Sequence, residues 1–216
     1  MTTPRALVVG GTLFPFHDLS EMEPAIDAAV GAAAEVAFTT NRDNLLDLNR
    51  YDFVVDYLTD SSFADSQRRS LLGFVADGGG YLGLHCAADL TSSHAGDGEL
   101  DVRDEPRPAL LELIGGHFLD HPERTTFGVD AVTDHPVTVG VDDFEVYDEP
   151  YQVAVTGNVT VLAEMDHPQL DPYPVVWTHS YGDGRVCYLS LGHTVESFEH
   201  DATRRLLRNA AGWLTS

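Results

Sequence analysis

The sequence predicts an α/β fold: a three-layer sandwich around a mostly parallel sheet, carrying a β-rich insertion. Three observations predict it. Short apolar strands alternate with helical segments as far as Asp89, which is the mark of βαβ units and a parallel sheet. The alternation stops between about Phe127 and Met165, where short strand-like segments are separated by Asp, Pro and Gly turns. A hairpin pattern and a long amphipathic helix then close the chain. At 216 residues the chain suits a single domain spanning 1–216.

Ala6–Val9 reads as the first strand, bounded by Gly10 and Gly11. Ser20 and Glu23 have the spacing of a capping box, with Ser20 as N-cap of an Ala-rich helix reaching about Ala34. Val36–Phe38 and Phe53–Leu58 are the second and third strands. Ser66–Val75 has helical spacing at Leu71, Leu72 and Val75, and three glycines, Gly78 to Gly80, end it. Tyr81–His85 is the fourth strand. Thr91 to Pro108 is polar, contains Gly96 and Gly98, and reads as a long surface loop before a short helix, Pro108–Ile114. Val175–Thr178 and Val186–Leu191 form a hairpin around Tyr181–Gly184. The last helix runs from about Glu199 to Leu214, with Leu206, Leu207, Ala210 and Trp213 on one face.

Charge narrows the partners. Asp and Glu number 35 against 12 basic residues, all Arg, for a formal net charge of -23. Such a surface repels phosphate backbones and anionic lipid, which argues against nucleic acid and membrane as partners. It fits adaptation to high internal salt, as in a halophilic archaeon, where screening removes the self-repulsion. No apolar run is long enough to span a bilayer, and Met1–Arg5 leads straight into a strand, so the expected location is the cytoplasm. Two cysteines, Cys86 and Cys187, without a CxxC pair, make no disulfide framework. A small-molecule substrate remains the expected partner, with homo-oligomerisation open.

The chemistry is carried by histidine. There are ten, and His17, His85, His117, His179 and His193 follow strands or glycines. In an open parallel sheet, functional groups collect where strands end. The segment Gly83-Leu84-His85-Cys86-Ala87 makes a sharp strand-to-helix turn whose small residues leave His85 presented at the sheet top. Neutral imidazoles and a carboxylate suit a divalent metal such as zinc, with His17, His85, His193 and Glu149 as candidate ligands. The alternative is metal-free acid/base catalysis by His85 or His193, with Glu149 or Asp89 tuning the imidazole. Tyr151 and Trp177 are candidates to stack on a small-molecule ligand, with His117 and His179 at the rim.

Over nearly its full length the chain resembles the ThuA-like (trehalose-utilisation) family. The matching pieces, in order, are His17-Asp18, Gly79 to His85, Gly115-Gly116-His117-Phe118 with His121-Pro122, Asp148-Glu149-Pro150-Tyr151, Pro174 to Val186, and Leu191-Gly192-His193. The resemblance implies a flavodoxin-like fold related to class I glutamine amidotransferases, and a link to catabolism of disaccharides and modified sugars. Those amidotransferases place a nucleophilic Cys where this chain has His85; Cys86 comes one residue later, which turns its side chain elsewhere and disfavours glutaminase chemistry. Two function classes follow: an enzyme acting on a sugar such as a keto-disaccharide by hydrolysis, elimination or isomerisation, or a non-catalytic sugar-binding or regulatory protein on a degenerate amidotransferase scaffold. Convergence of the histidines and Glu149 favours the first, and dispersal the second.

The charge predicts salt-dependent folding. Circular dichroism against KCl concentration should show structure lost below physiological salt. A thermal midpoint that stays flat from low to molar salt would refute the adaptation.

Overall fold

A computed structural model describes residues 3–94 and 100–216; Gly96 and Gly98 of the expected loop lie outside them. The first half is the predicted alternation. Strand β1 (Arg5–Gly10) leads to helix α1 (Leu19–Val30), β2 (Glu35–Thr39), β3 (Phe53–Tyr57), α2 (Asp65–Ala76) and β4 (Gly80–Leu84). Strands β1, β3 and β4 are short, apolar and almost wholly buried, as strands covered on both faces must be, while β2 at the sheet edge is only partly buried. A 3₁₀ turn, His85–Ala88, follows β4 directly.

The second half is mostly strand. It runs β5 (Ser92–His94), β6 (Leu100–Val102), α3 (Pro108–Ile114), β7 (Gly116–Asp120), β8 (Thr125–Ala131), β9 (Phe144–Asp148), β10 (Gln152–Val155), β11 (Thr160–Asp166), β12 (Pro174–Tyr181) and β13 (Gly184–Leu189). Helices α4 (Val195–Glu199) and α5 (Asp201–Leu214) close the chain.

Nine strands form one sheet in the order β2-β1-β3-β4-β13-β12-β11-β8-β9. The first five are mutually parallel, in the flavodoxin-like arrangement. Each pairing beyond β13 is antiparallel. Only β12 and β8 therefore oppose the common direction, and β11 and β9 run with it. The β-rich stretch extends the central sheet instead of forming a separate lobe; only β10 leaves it, pairing with β7. Helices α1 and α5 pack on one face with Met22, Ile26, Leu206 and Leu207. Helices α2 and α3 cover the other with Leu71, Val75, Leu110 and Leu113. These are the three layers.

Three local expectations change. Asp18, not Ser20, caps α1: its carboxylate accepts from the Ser20 backbone N–H at 2.8 Å and the Ser20 hydroxyl at 2.6 Å, so Ser20 lies inside the first turn. The Thr91–Pro108 stretch contains the antiparallel pair β5–β6. A short helix, α4, precedes the expected terminal helix, which starts at Asp201 with the His200 ring capping it by accepting from Ala202 N–H.

The hairpin β12–β13 depends on Gly184. A Cβ there would sit 2.0 Å from the Val75 carbonyl oxygen and 2.4 Å from that of Gly79, both backbone atoms unable to yield cheaply. Gly184→Ala should therefore destabilise the fold by roughly 2 kcal/mol or more, within the range for overpacking. Chemical denaturation measures this, and an unchanged midpoint would show that the α2–β13 approach is looser than described.

Candidate functional site

Four side chains from distant parts of the chain meet above the C-terminal edge of the sheet. His17 lies in the loop after β1, His85 opens the turn after β4, Glu149 follows β9, and His193 follows β13. All four strands run in the same direction, so their ends share one edge.

The backbone at two of these positions is strained. His17 has φ 55° and His85 φ 42°, the only positive-φ residues other than glycine among those described. A side chain in the left-handed region costs about 1–3 kcal/mol and persists where its surroundings over-determine it. At His85 the turn is the sharp one predicted from Gly83-Leu84-His85. At His17 the loop is pinched shut behind the residue, since Leu19 N–H donates to the Gly11 carbonyl at 2.8 Å.

Four contacts join the ligand-type atoms. His17 Nε2 lies 2.9 Å from His193 Nδ1 and 3.1 Å from His85 Nε2. Glu149 Oε2 lies 3.0 Å from His193 Nδ1 and 3.4 Å from His85 Nε2. All four atoms fall within 4.8 Å of one another. His85 and His193 thus share one site.

Proton accounting shows what the cluster is suited to hold. His85 Nδ1 lies 2.8 Å from the Ser190 carbonyl oxygen. A carbonyl only accepts, so this nitrogen carries the proton, and in the neutral ring Nε2 turns a lone pair inward. That lone pair faces a carboxylate oxygen and another imidazole. A cation at the centre satisfies every inward atom at once. Bonds of about 2.0–2.1 Å in a tetrahedral shell put ligand atoms roughly 3.3 Å apart; four of the six separations lie near that value, and the remaining two are within 4.8 Å. His17 is oriented from behind by Thr59 Oγ1, 2.9 Å from Nδ1, in the manner of an outer-shell partner.

Asp148 builds the site without entering it. It is fully buried and accepts from the backbone N–H groups of Glu149 (2.9 Å), Gly192 (2.7 Å) and His193 (3.1 Å), and from the Ser197 hydroxyl. Gly192 reaches this position with φ 125°, and a Cβ would strike the Phe198 ring.

A cavity of about 450 Å³ opens over the cluster. Phe16, Phe118 and Tyr151 supply aromatic wall, and Thr91 and Ser92 supply hydroxyls. Tyr151 lies in this wall, with its ring stacked 4.1 Å over that of His85. His121, absent from the sequence-based candidates, also lines the cavity and comes within 3.7 Å of Glu149.

Other candidates are placed differently. Asp89 lines the cavity, but its Oδ1 accepts from Thr91 N–H, the Thr91 hydroxyl and Ser92 N–H. It organises a turn, and the carboxylate against the imidazoles is Glu149. Trp177 is completely buried, stacked on Tyr188, with its indole N–H donating to the Ile114 carbonyl at 2.8 Å. It is a core residue and cannot stack on a ligand. His179 sits late in β12, which runs against its neighbours and so carries the residue to the opposite edge; its Nε2 meets the Leu113 carbonyl oxygen at 2.9 Å. His117 lies early in β7 and is not among the residues lining the cavity, although Phe118 and Leu119 after it both are. Its Nδ1 is buried without a hydrogen-bond partner among the described residues. Cys86 is fully buried, and burial pushes its thiol well above the ordinary range, which opposes a thiolate nucleophile.

With this geometry in place, the chain can be set beside known proteins. The model for ThuA, described as trehalose utilisation, matches residues 5–214.

The chain belongs to the ThuA family. Among solved structures, it is similar to a protein described as ThuA-like from Bacteroides uniformis, with 22% identity, TM-score 0.76, and coverage of 99% of this chain and 93% of that one. A second ThuA-like protein, from Parabacteroides merdae, has 18% identity, TM-score 0.74, and coverage of 100% and 91%. A protein from Salmonella typhimurium LT2 described as cytoplasmic has 12% identity, TM-score 0.67, and coverage of 98% and 100%. At these identities the structures support the ThuA-like fold alone. No curated protein matches this chain.

The site's titration predicts acid sensitivity. Burial, then the neighbouring His85 and His193, holds His17 well below the ordinary imidazole value of 6.5. Burial alone would raise the Glu149 carboxyl, but the adjacent His193 and His85 outweigh it and hold the group below the usual carboxylate range. Both folded values lie below the unfolded ones. Stability from His17 is therefore present above about pH 6.5 and is lost as pH falls, with Glu149 adding to the loss below about 4.5. For metal-free protein, the unfolding free energy should drop by up to about 1.4 kcal/mol per pH unit between pH 6.5 and 5, one proton's slope. His17→Gln should flatten that slope; equal slopes in both proteins would overturn the assignment.

Proposed function

We propose that this ThuA family member is a metal-assisted enzyme of carbohydrate catabolism. Its substrate would be a disaccharide or keto-sugar derivative, in keeping with the family's link to trehalose utilisation. The observation that carries the reading is the meeting of three imidazoles and one carboxylate, from four strand ends, beneath an aromatic-walled cavity. A surface scatter of the same residues would have favoured a sugar-binding or regulatory protein.

His17, His85, His193 and Glu149 would hold a divalent ion such as zinc. Such an ion supplies a Lewis acid for a sugar oxygen, or an acidified water. The chain's own residues do the rest. Ser190 and Thr59 orient the imidazoles of His85 and His17. Phe118 offers a ring to the apolar face of a sugar, while Thr91 and Ser92 offer hydroxyls to its polar edge. His121 Nδ1 lies 2.9 Å from the Pro122 carbonyl oxygen, which assigns it the proton and makes Nε2, 3.7 Å from Glu149 Oε2, the nitrogen that would accept a substrate proton. The chain's acidity and the absence, among described residues, of a helix able to cross a membrane support salt adaptation and a cytoplasmic setting.

Metal analysis of the purified protein tests the reading, together with titration of chelator-treated protein with zinc, manganese and cobalt. One ion per chain is expected. Glu149→Gln and His85→Asn should each weaken binding by at least the roughly 10–100-fold seen for the loss of outer-shell partners. Sugar-release assays on trehalose and on an oxidised disaccharide should show metal-dependent turnover. Failure of every metal to bind would sink the metal reading, and loaded protein inert on all sugars would sink the enzyme reading.

A further inference from the structure

Cations are scarce in this chain, with 12 Arg, no Lys and 35 acidic residues. Three of the twelve nonetheless share one hollow. Arg204, Arg205 and Arg208 line a cavity of about 330 Å³ between α5 and α1. With Asp201 they occupy positions i, i+3, i+4 and i+7 of α5, which is one helix face. The opposite face, including Leu206, Leu207 and Ala210, is buried in the core.

The hollow exists because of what α1 presents across from them. Its contributions are Ala28 and Ala29, with Ala32 just beyond the helix end, none of which has an atom past Cβ. Longer side chains there would fill the space.

The arginines are short of partners. Arg204 reaches one carboxylate, Glu199, at 3.7 Å between exposed side chains. Arg205 and Arg208 make no ion pair within 4.0 Å among the described residues. Arg204 Nε is buried without a hydrogen-bond partner among the described residues. Like charges four residues apart on a helix repel by a few tenths of a kcal/mol. In a chain with almost three carboxylates for every Arg, partners within the protein would be easy to supply. Three Arg side chains border the hollow, Arg205 with its guanidinium against Gly140; set against Asp201 in the lining and Glu199 beside Arg204, they leave a local excess of positive charge on an otherwise negative molecule.

We infer that this hollow is a binding site for a phosphate-class oxyanion, either inorganic phosphate or the phosphate group of a small metabolite ester. Guanidinium forks match the geometry of phosphate oxygens and pair with them through charge-assisted hydrogen bonds. The volume accommodates a phosphate with room for a small organic substituent. The site lies on a helix-covered face of the sheet, built from none of the residues of the His/Glu cluster, and it stands whatever that cluster does.

The full-length, chelator-treated protein is titrated by calorimetry with inorganic phosphate, and separately with a hexose phosphate, at ionic strength matched with KCl. Saturable binding of one phosphate per chain, absent with chloride, is expected. A hexose phosphate that binds at least tenfold tighter than inorganic phosphate would identify the ester as the ligand, and equal binding would identify the free ion. Arg204→Gln/Arg208→Gln should weaken binding at least tenfold while zinc uptake at the His/Glu cluster stays unchanged. Ala28→Leu, at an exposed position, should block the hollow and abolish binding with all three charges kept. The proposal is overturned if neither probe binds the wild-type chain, or if both variants, folded by circular dichroism, bind as the wild type does.

Discussion

The buried carboxylate of Asp148 ties the two halves of this molecule together. In a flat sheet, β9 would lie four strand spacings from β13, roughly 19 Å at about 4.8 Å each. Yet Asp148, at the end of β9, bonds to the backbone of Gly192 and His193 just past β13, and to Ser197 in α4. The antiparallel half must therefore curl back over the parallel half. Three backbone donors and a hydroxyl close on one fully buried anion, and each would cost about 1–3 kcal/mol if left without a partner. The same closure sets Glu149 against His193, because the two residues adjoin the bonded atoms in sequence.

Strain is concentrated where that closure is anchored. His17 and His85 occupy left-handed backbone, and both rings are held from behind, one by Thr59 and the other by Ser190. Tyr151 stacks on His85 from the cavity side. Each imidazole thus has its ring plane fixed before any ligand arrives. That pre-organisation suits a metal shell, whose ligands must converge within tenths of an ångström. The strain and the burial of polar atoms are offset by the two apolar layers, where α1 with α5 and α2 with α3 cover the sheet.

The scaffold also explains why neighbouring histidines have such different fates. A residue at the end of a strand running in the common direction reaches the site edge. A residue at the end of β12 is carried to the other edge, as His179 is. His117, early in β7, stays outside the cavity that Phe118 and Leu119 line. Trp177 sits mid-strand and serves the core.

Much of this was legible in the sequence. The β/α alternation to Asp89, the hairpin at Tyr181–Gly184 and the amphipathic last helix follow from periodicity and turn chemistry, which are local. So does the sharp turn at His85, because small residues after a strand permit it. His17, His85, Glu149 and His193 could be named from their places after strands and beside Pro150. What the sequence could not decide was how the strands beyond β4 run relative to the first ones: the hairpin makes β12 and β13 oppose each other but does not say which of them joins the parallel set. That direction separates His193 from His179, and only the sheet's pairing reveals it. Asp148 was equally hidden: an Asp beside a Glu reads as one more surface charge in so acidic a chain, and its burial depends on a contact across 45 residues. Tertiary structure decided these points because convergence is a property of how strand ends are brought together, and the hydrogen bonds that do this join residues far apart in the chain.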